Sequence, residues 1–178
     1  MSDAADLPLF LQALAFAADK HRDQRRKDAA ASPYINHPIA LATVLVQEGD
    51  VADSAVIAAA LLHDTLEYTQ TTAAELRTAF GEAIARVVAE VTDDKDLPKA
   101  ERKRLQVEHA ATLSREAKLV KLADKICNLR DMADHPPAKW DLVRRREYFD
   151  WAKAVIDRLR GVHPRLEAAF DAAFARRP

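Results

Sequence analysis

Four side chains, His37, His63, Asp64 and Asp124, have types and an order along the chain that could do chemistry. His63 and Asp64 close the apolar run Ala59 to Leu62 in "AALLHDTLEYT". Placing such groups at the end of an apolar run costs free energy unless they are paired or bind a metal. Two other stretches can supply the compensation. His37 stands in "YINHPI", where a residue before proline is pushed toward an extended conformation. Asp124 stands in "AKLVKLADKICNLRD", whose core face is marked by Leu119, Leu122, Ala123, Ile126 and Leu129. Asp124 borders that face beside Val120 and Cys127, and Asn128, four residues on, shares its side. Two histidines and two aspartates can then converge from three helices. Mixed nitrogen and oxygen donors suit Mn²⁺, Fe²⁺ or another borderline divalent ion better than a thiolate zinc site. Helical bundles commonly build such sites from inward side chains on facing helices.

The elements that must position these residues read as helices throughout. Asp6 and Pro8 open the first, with Phe10, Leu14 and Ala17 as its apolar stripe, and it runs out in the basic "DKHRDQRRKD". A second starts at Pro38, with His37 at its mouth, and stops at Gly49 as a C-terminal cap. A third, Ser54 to about Thr65, carries His63 and Asp64 at its end. A short fourth opens on a capping box, Thr72 with Glu75, and stops at Gly81. "EAIARVVAEVT" is a fifth and "LPKAERKRLQVEHA" an amphipathic, very basic sixth. Ser114 caps a seventh that reaches about Ala133. "WDLVRRREYFDWAKAVIDRLRG" and "HPRLEAAFDAAFARR" complete the chain. No alternating strand pattern, repeat period or dividing linker occurs. The expected architecture is one all-α domain over residues 1–178, a helical bundle of about eight to ten helices.

Composition narrows the function classes. The 178 residues suit one core, and 49% hydrophobic residues suffice to fill it. Only three glycines occur, which argues for helices joined by short loops. Lys and Arg number 27 against 28 Asp and Glu, so no overall field favours nucleic acid or an anionic membrane. The N-terminal stretch lacks the basic start, long apolar core and cleavage site of a signal peptide, and no run is as long as a membrane span. The single cysteine, Cys127, cannot form an internal disulfide. A cytoplasmic setting is expected.

The ordered set His37, His63-Asp64, Asp124 resembles that of the HD superfamily of metal-dependent phosphohydrolases. "HRDQRRKDAAASPYINHPI", "ALLHDTLE", "VTDDKDLPKAERKRLQ" and "AKLVKLADKICNLRD" extend the likeness over roughly residues 10 to 160. They resemble the hydrolase domain of RelA/SpoT-type proteins, and most closely the small stand-alone SpoT-homologue hydrolases; no synthetase domain falls within residues 1–178. The resemblance implies an HD-type bundle and an Mn²⁺-dependent enzyme that removes the 3′-pyrophosphate of guanosine tetra- or pentaphosphate, the (p)ppGpp alarmones. It implies that His37, His63, Asp64 and Asp124 hold the metal and that Glu67 is the acid/base group near the attacking water. Arg26 and Lys27 would meet the nucleotide, with Asn128 on the ribose or base side. Lys99, Arg104, Arg144 and Tyr148 would serve the phosphate chain. Arg22 and Arg25 read as a solvated helix end, and Cys127 as a small buried hydrophobe where the family often has an aromatic residue.

One departure bears on catalysis. After the His-Asp pair the family usually has two consecutive acidic residues, and here the second is Tyr68. Tyr68 thus enters the catalytic set as a pocket-shaping or proton-donating residue. Two other functions compete with alarmone hydrolysis: phosphatase action on another ribose-phosphorylated nucleotide such as NADPH, as in animal members of the group, and a nucleotide-binding protein with a weakened site. The expected partner is a small guanine nucleotide. Homo-oligomerisation and functional pairing with an alarmone synthetase or toxin stay open.

Overall fold

The computed structural model describes residues 6–178; Met1 to Ala5, which the assignment of one domain to residues 1–178 includes, lie outside the described residues. The helices are α1 (Leu7–Lys20), α2 (Asn36–Thr43), α3 (Ser54–Leu62), α4 (Thr65–Tyr68), α5 (Ala73–Val91), α6 (Lys99–His109), α7 (Arg115–Asp134), α8 (Leu142–Asp157) and α9 (Pro164–Phe174). No strand occurs among the described residues, apart from one isolated bridge between Arg25 and Pro33.

Two helices form the centre. Every residue of α3 from Val56 to Leu62 is buried, so it is apolar all round, as a helix enclosed on all sides must be. It packs against α1, α2, α5 and α7. Leu119, Leu122, Ala123, Ile126 and Leu129 of α7 are at most 1% exposed, and that helix meets α2, α3, α5, α8 and α9. By contrast α6 has no buried residue and packs mainly on α8. Truncating a fully buried leucine such as Leu62 or Leu122 to alanine costs about 2–5 kcal/mol in cores of this kind.

The caps follow local chemistry. Asp53 accepts from Ala55 and Val56 N–H groups, Thr72 from Glu75 N–H and Ser114 from Ala117 N–H. Several boundaries differ from the sequence reading. His37 lies inside the first turn of α2 and is helical, because proline is tolerated in a first turn whose N–H groups need no partner. Gly81 breaks α5 where the sequence marks a stop: its backbone is non-helical (φ 82°, ψ 167°) and separates a first helical segment from a second that runs to Val91. Gly49 is not a left-handed cap. Its φ is −80°, and the helix stops there, as expected, after a π-helical turn, Val44–Glu48. A Cβ at Gly49 would lie 2.7 Å from the Leu45 carbonyl oxygen and 3.0 Å from Leu166, so close approach is what requires glycine. α3 ends at Leu62, and His63-Asp64 form the turn into α4.

Candidate active site

α2, the α3–α4 turn and α7 bring His37, His63, Asp64 and Asp124 together at the wall of a cavity of 1040 Å³. His37 Nε2 lies 3.2 Å from Asp124 Oδ1 and 4.0 Å from Asp64 Oδ2. His63 Nε2 lies 3.0 Å from Asp64 Oδ2 and 3.9 Å from Asp124 Oδ1. Ligand atoms of His37, His63 and Asp124 lie within 4.8 Å of one another. Both histidines and Asp64 are buried.

The neighbours fix how these groups point. His63 Nδ1 donates to the Ala60 carbonyl oxygen at 2.8 Å, which turns Nε2 toward the two carboxylates. That buried Nε2 has no hydrogen-bond partner. Tyr34 OH donates to Asp64 Oδ2 at 2.5 Å. Asn128 Nδ2 donates to Asp124 Oδ1 at 2.6 Å, and Lys125 Nζ to Oδ2 at 3.1 Å. Burial works against ionising both aspartates, yet His63 holds the Asp64 carboxyl far below the usual carboxylate range, and Lys125 and His37 do the same for Asp124. Burial pushes the His37 imidazole down, toward its neutral form. Two carboxylates and two imidazole nitrogens, Nε2 of His37 and of His63, converge as the donor set a divalent cation needs, and the residues present fit one.

Beside this cluster, Glu67 is 8% exposed at its side chain. Asp93 N–H donates to its Oε2 at 3.3 Å, and Arg102 Nη1 lies 3.7 Å from Oε1. Burial raises the Glu67 carboxyl above its ordinary range. Tyr68 is 44% exposed, with Lys95 Nζ 4.0 Å from its ring centroid. Burial, then the neighbouring Glu67, pushes its phenol up, so it stays protonated at neutral pH and cannot serve as a ready base.

Most of the residues expected to contact substrate line the same cavity: Arg26, Lys27, Lys99, Asn128 and Tyr148. Arg26 pairs with Asp131 and lies 5.7 Å over the Tyr34 ring. Burial raises the Tyr148 phenol to about 12. Two residues are placed elsewhere. Arg104 pairs with Glu101 and Glu108 of its own helix and is about half exposed, on the face turned from the cavity. Arg144 packs over Trp140, 4.2 Å from its centroid, and reaches the cavity only through that ring. Arg25, read as part of a solvated helix end, lies in an ordered loop at the cavity rim. Its guanidinium turns to the carbonyl oxygens of Arg22 and Gln24.

Sequence reasoning missed Tyr34, Arg102, Lys103, Lys121, Lys125, Trp140 and Trp151, all of which line the cavity. Lys103 and Lys125 lie 4.9 and 4.2 Å from the Trp151 centroid, and Lys99 lies 5.6 Å from that of Trp140. The spacing Lys99, Arg102, Lys103, Gln106 is one face of a helix, a signal present in the sequence but indistinguishable there from a solvated stripe.

Two histidines and two aspartates gathered from α2, the α3–α4 turn and α7, beside a buried glutamate, define a class. The chain belongs to the HD domain family, which it matches over residues 13–150. Within that family it is similar to guanosine-3′,5′-bis(diphosphate) 3′-pyrophosphohydrolase MESH1 of Xenopus tropicalis, 53% identical over 96% of this chain and 96% of the relative. It is also similar to MESH1 of Homo sapiens, 53% identical over 99% of this chain and 97% of the relative. A solved structure, described as a metazoan ortholog of SpoT that hydrolyzes ppGpp and plays a role in starvation responses, superposes with a TM-score of 0.92 at 48% identity, covering 95% of each chain.

Proposed function

We propose that this protein is an Mn²⁺-dependent hydrolase that removes the 3′-pyrophosphate of ppGpp or pppGpp, giving GDP or GTP and pyrophosphate. The observation that carries the reading is the convergence of His37, His63 and Asp124, with Asp64 against both imidazoles, in a cavity that also presents unpaired cations. The relatives' named activity points the same way. His37, His63, Asp64 and Asp124 would hold the ion. A divalent cation there supplies Lewis acidity toward a phosphoryl oxygen and lowers the pKa of a water from 15.7 toward roughly 7.

The chain's own residues do the rest. Glu67, its pKa raised by burial, exchanges a proton with the attacking water or the leaving group. Asn128 orients Asp124, and Lys125 balances its charge. Lys27, Lys95, Lys99 and Lys103 form no ion pair among the described residues, which leaves four ammonium groups to meet a substrate carrying several phosphoryl charges. Arg26 and Lys27 face the nucleoside, and Tyr148 faces the phosphate chain. Tyr68 removes one carboxylate from this cavity and leaves Lys95 over an aromatic face, which favours binding of a polyanion over proton transfer. A cytoplasmic setting, where nucleotides are and where the buried thiol of Cys127 stays reduced, belongs to the same reading.

Product analysis tests it. Purified protein with Mn²⁺ is given ppGpp, pppGpp and NADPH separately. GDP and pyrophosphate from ppGpp support the proposal. Orthophosphate released from NADPH with ppGpp left intact transfers the activity to the other ribose-phosphorylated substrate. No product from any of the three leaves a nucleotide-binding protein.

A further inference from the structure

Tyr34 stands three residues before His37 in the loop between α1 and α2, and several contacts lock it in place. Its backbone N–H donates to the Gln24 carbonyl oxygen at 3.1 Å, within the turn that also pairs Arg26 N–H with the Ser32 carbonyl oxygen. One neighbour of its ring is the buried His21, with centroids 4.9 Å apart and planes tilted by 32°. His21 is itself held by Gln24, Nδ1 to Oε1 at 2.7 Å. The Arg26 guanidinium lies 5.7 Å over the same ring. The hydroxyl so placed has one protein partner among the described residues, Asp64 Oδ2, at 2.5 Å.

That oxygen is also the Asp64 atom nearest both imidazoles, 3.0 Å from His63 Nε2 and 4.0 Å from His37 Nε2. Asp64 sits in a turn rather than in a helix, so its own backbone constrains it less than α7 constrains Asp124. Asp124 has Asn128 and Lys125 to orient it; for Asp64 the corresponding side-chain donor is Tyr34. We infer that Tyr34 is a positioning residue for the metal centre: its hydroxyl fixes the Asp64 carboxylate in the direction the ion requires. The inference rests on the proposed metal site. Because Arg26 shares the ring, the tyrosine also ties the wall facing the nucleoside to the metal ligands.

Groups that orient a metal ligand typically contribute 10- to 100-fold in metal affinity. Tyr34→Phe keeps the ring, and with it the contacts to His21 and Arg26, and removes only the hydroxyl. Mn²⁺ binding to the chelator-treated full-length protein is measured by calorimetric titration, with thermal unfolding of the same samples in chelator as the control for folding. The expected result is a dissociation constant raised about 10- to 100-fold, an unchanged KM for ppGpp at saturating Mn²⁺, and a melting temperature close to wild type. Wild-type binding with an unaltered affinity in Tyr34→Phe overturns this inference and leaves the metal reading standing. Wild-type protein that takes up no Mn²⁺ overturns both.

Discussion

α7 and α6 both face the cavity, and they are built in opposite ways. α7 carries Asp124, Lys125 and Asn128 on a helix with a broad core face, where Leu119, Val120, Leu122, Ala123, Ile126 and Leu129 are at most 1% exposed. α6 carries Lys99, Arg102, Lys103 and Gln106 on a helix with no buried residue, anchored by polar contacts such as Trp151 Nε1 to the Lys103 carbonyl oxygen at 3.0 Å. The difference separates two tasks. Groups that must meet an ion to within tenths of an ångström sit where packing leaves one arrangement. Groups that must meet a flexible polyanion sit where long side chains keep their freedom. Burial and the neighbouring Arg144 lower the Lys99 ammonium, and burial and the neighbouring Lys99 lower that of Lys103; an incoming phosphate would reverse both effects.

The comparison breaks most visibly at Asp124. Asp124→Ala should abolish hydrolysis and Mn²⁺ binding while circular dichroism keeps the helical signal. It also leaves the buried Lys125 without its carboxylate, a loss of the kind that costs about 3–5 kcal/mol, so the melting temperature should fall. Retained turnover would show that the rigid wall is not where the chemistry happens.

Glu67 comes next. Glu67→Gln should lower kcat by roughly 10²–10⁴. Because burial raises this carboxyl, the acid limb of the wild-type pH–rate profile should lie above the ordinary carboxylate range. Activity is lost as pH falls through that value and Glu67 takes up a proton. A limb at the pKa of an exposed glutamate would detach Glu67 from proton transfer.

On α6 the expected signature is binding. Lys99→Met and Lys103→Met should each raise KM for ppGpp about tenfold or more, as loss of a charge-assisted contact of about 1.5–3 kcal/mol implies, with kcat within a few-fold of wild type. A fall in kcat at constant KM would place α6 in the chemical step. Tyr68→Asp should raise kcat a few-fold by restoring a second carboxylate; a fall would make the tyrosine a working part of a differently tuned site. The smallest effect belongs to Arg104→Met, on the far face of α6. KM should stay within about twofold and the melting temperature close to wild type, because its ion pairs with Glu101 and Glu108 are solvent-screened.

The same contrast explains what the sequence made legible. The convergence of His37, His63, Asp64 and Asp124 could be read because histidine and aspartate at the edge of apolar runs are costly and therefore informative. Core helices α3 and α7 could be read from their apolar periodicity. The cavity face of α6 could not, because lysines and arginines at helical spacing look the same over solvent as over a pocket; Arg104 and Lys103 are sequence neighbours with opposite surroundings. Tyr34 was hidden for another reason. Its partner lies 30 residues away, and only the packing of the loop between α1 and α2 onto the α3–α4 turn joins them. The tryptophans Trp140 and Trp151 reach the cavity from a loop and from α8, a meeting that no local pattern encodes.

The central claim is that the buried cluster of His37, His63, Asp64 and Asp124 takes a divalent ion and that ppGpp hydrolysis depends on it. The most direct measurement follows GDP and pyrophosphate release from ppGpp while Mn²⁺ is titrated into chelator-treated protein. Activity should be absent at the start, rise with added ion and saturate at one ion bound per chain. Undiminished hydrolysis of ppGpp after chelation, or none at saturating Mn²⁺, would contradict it.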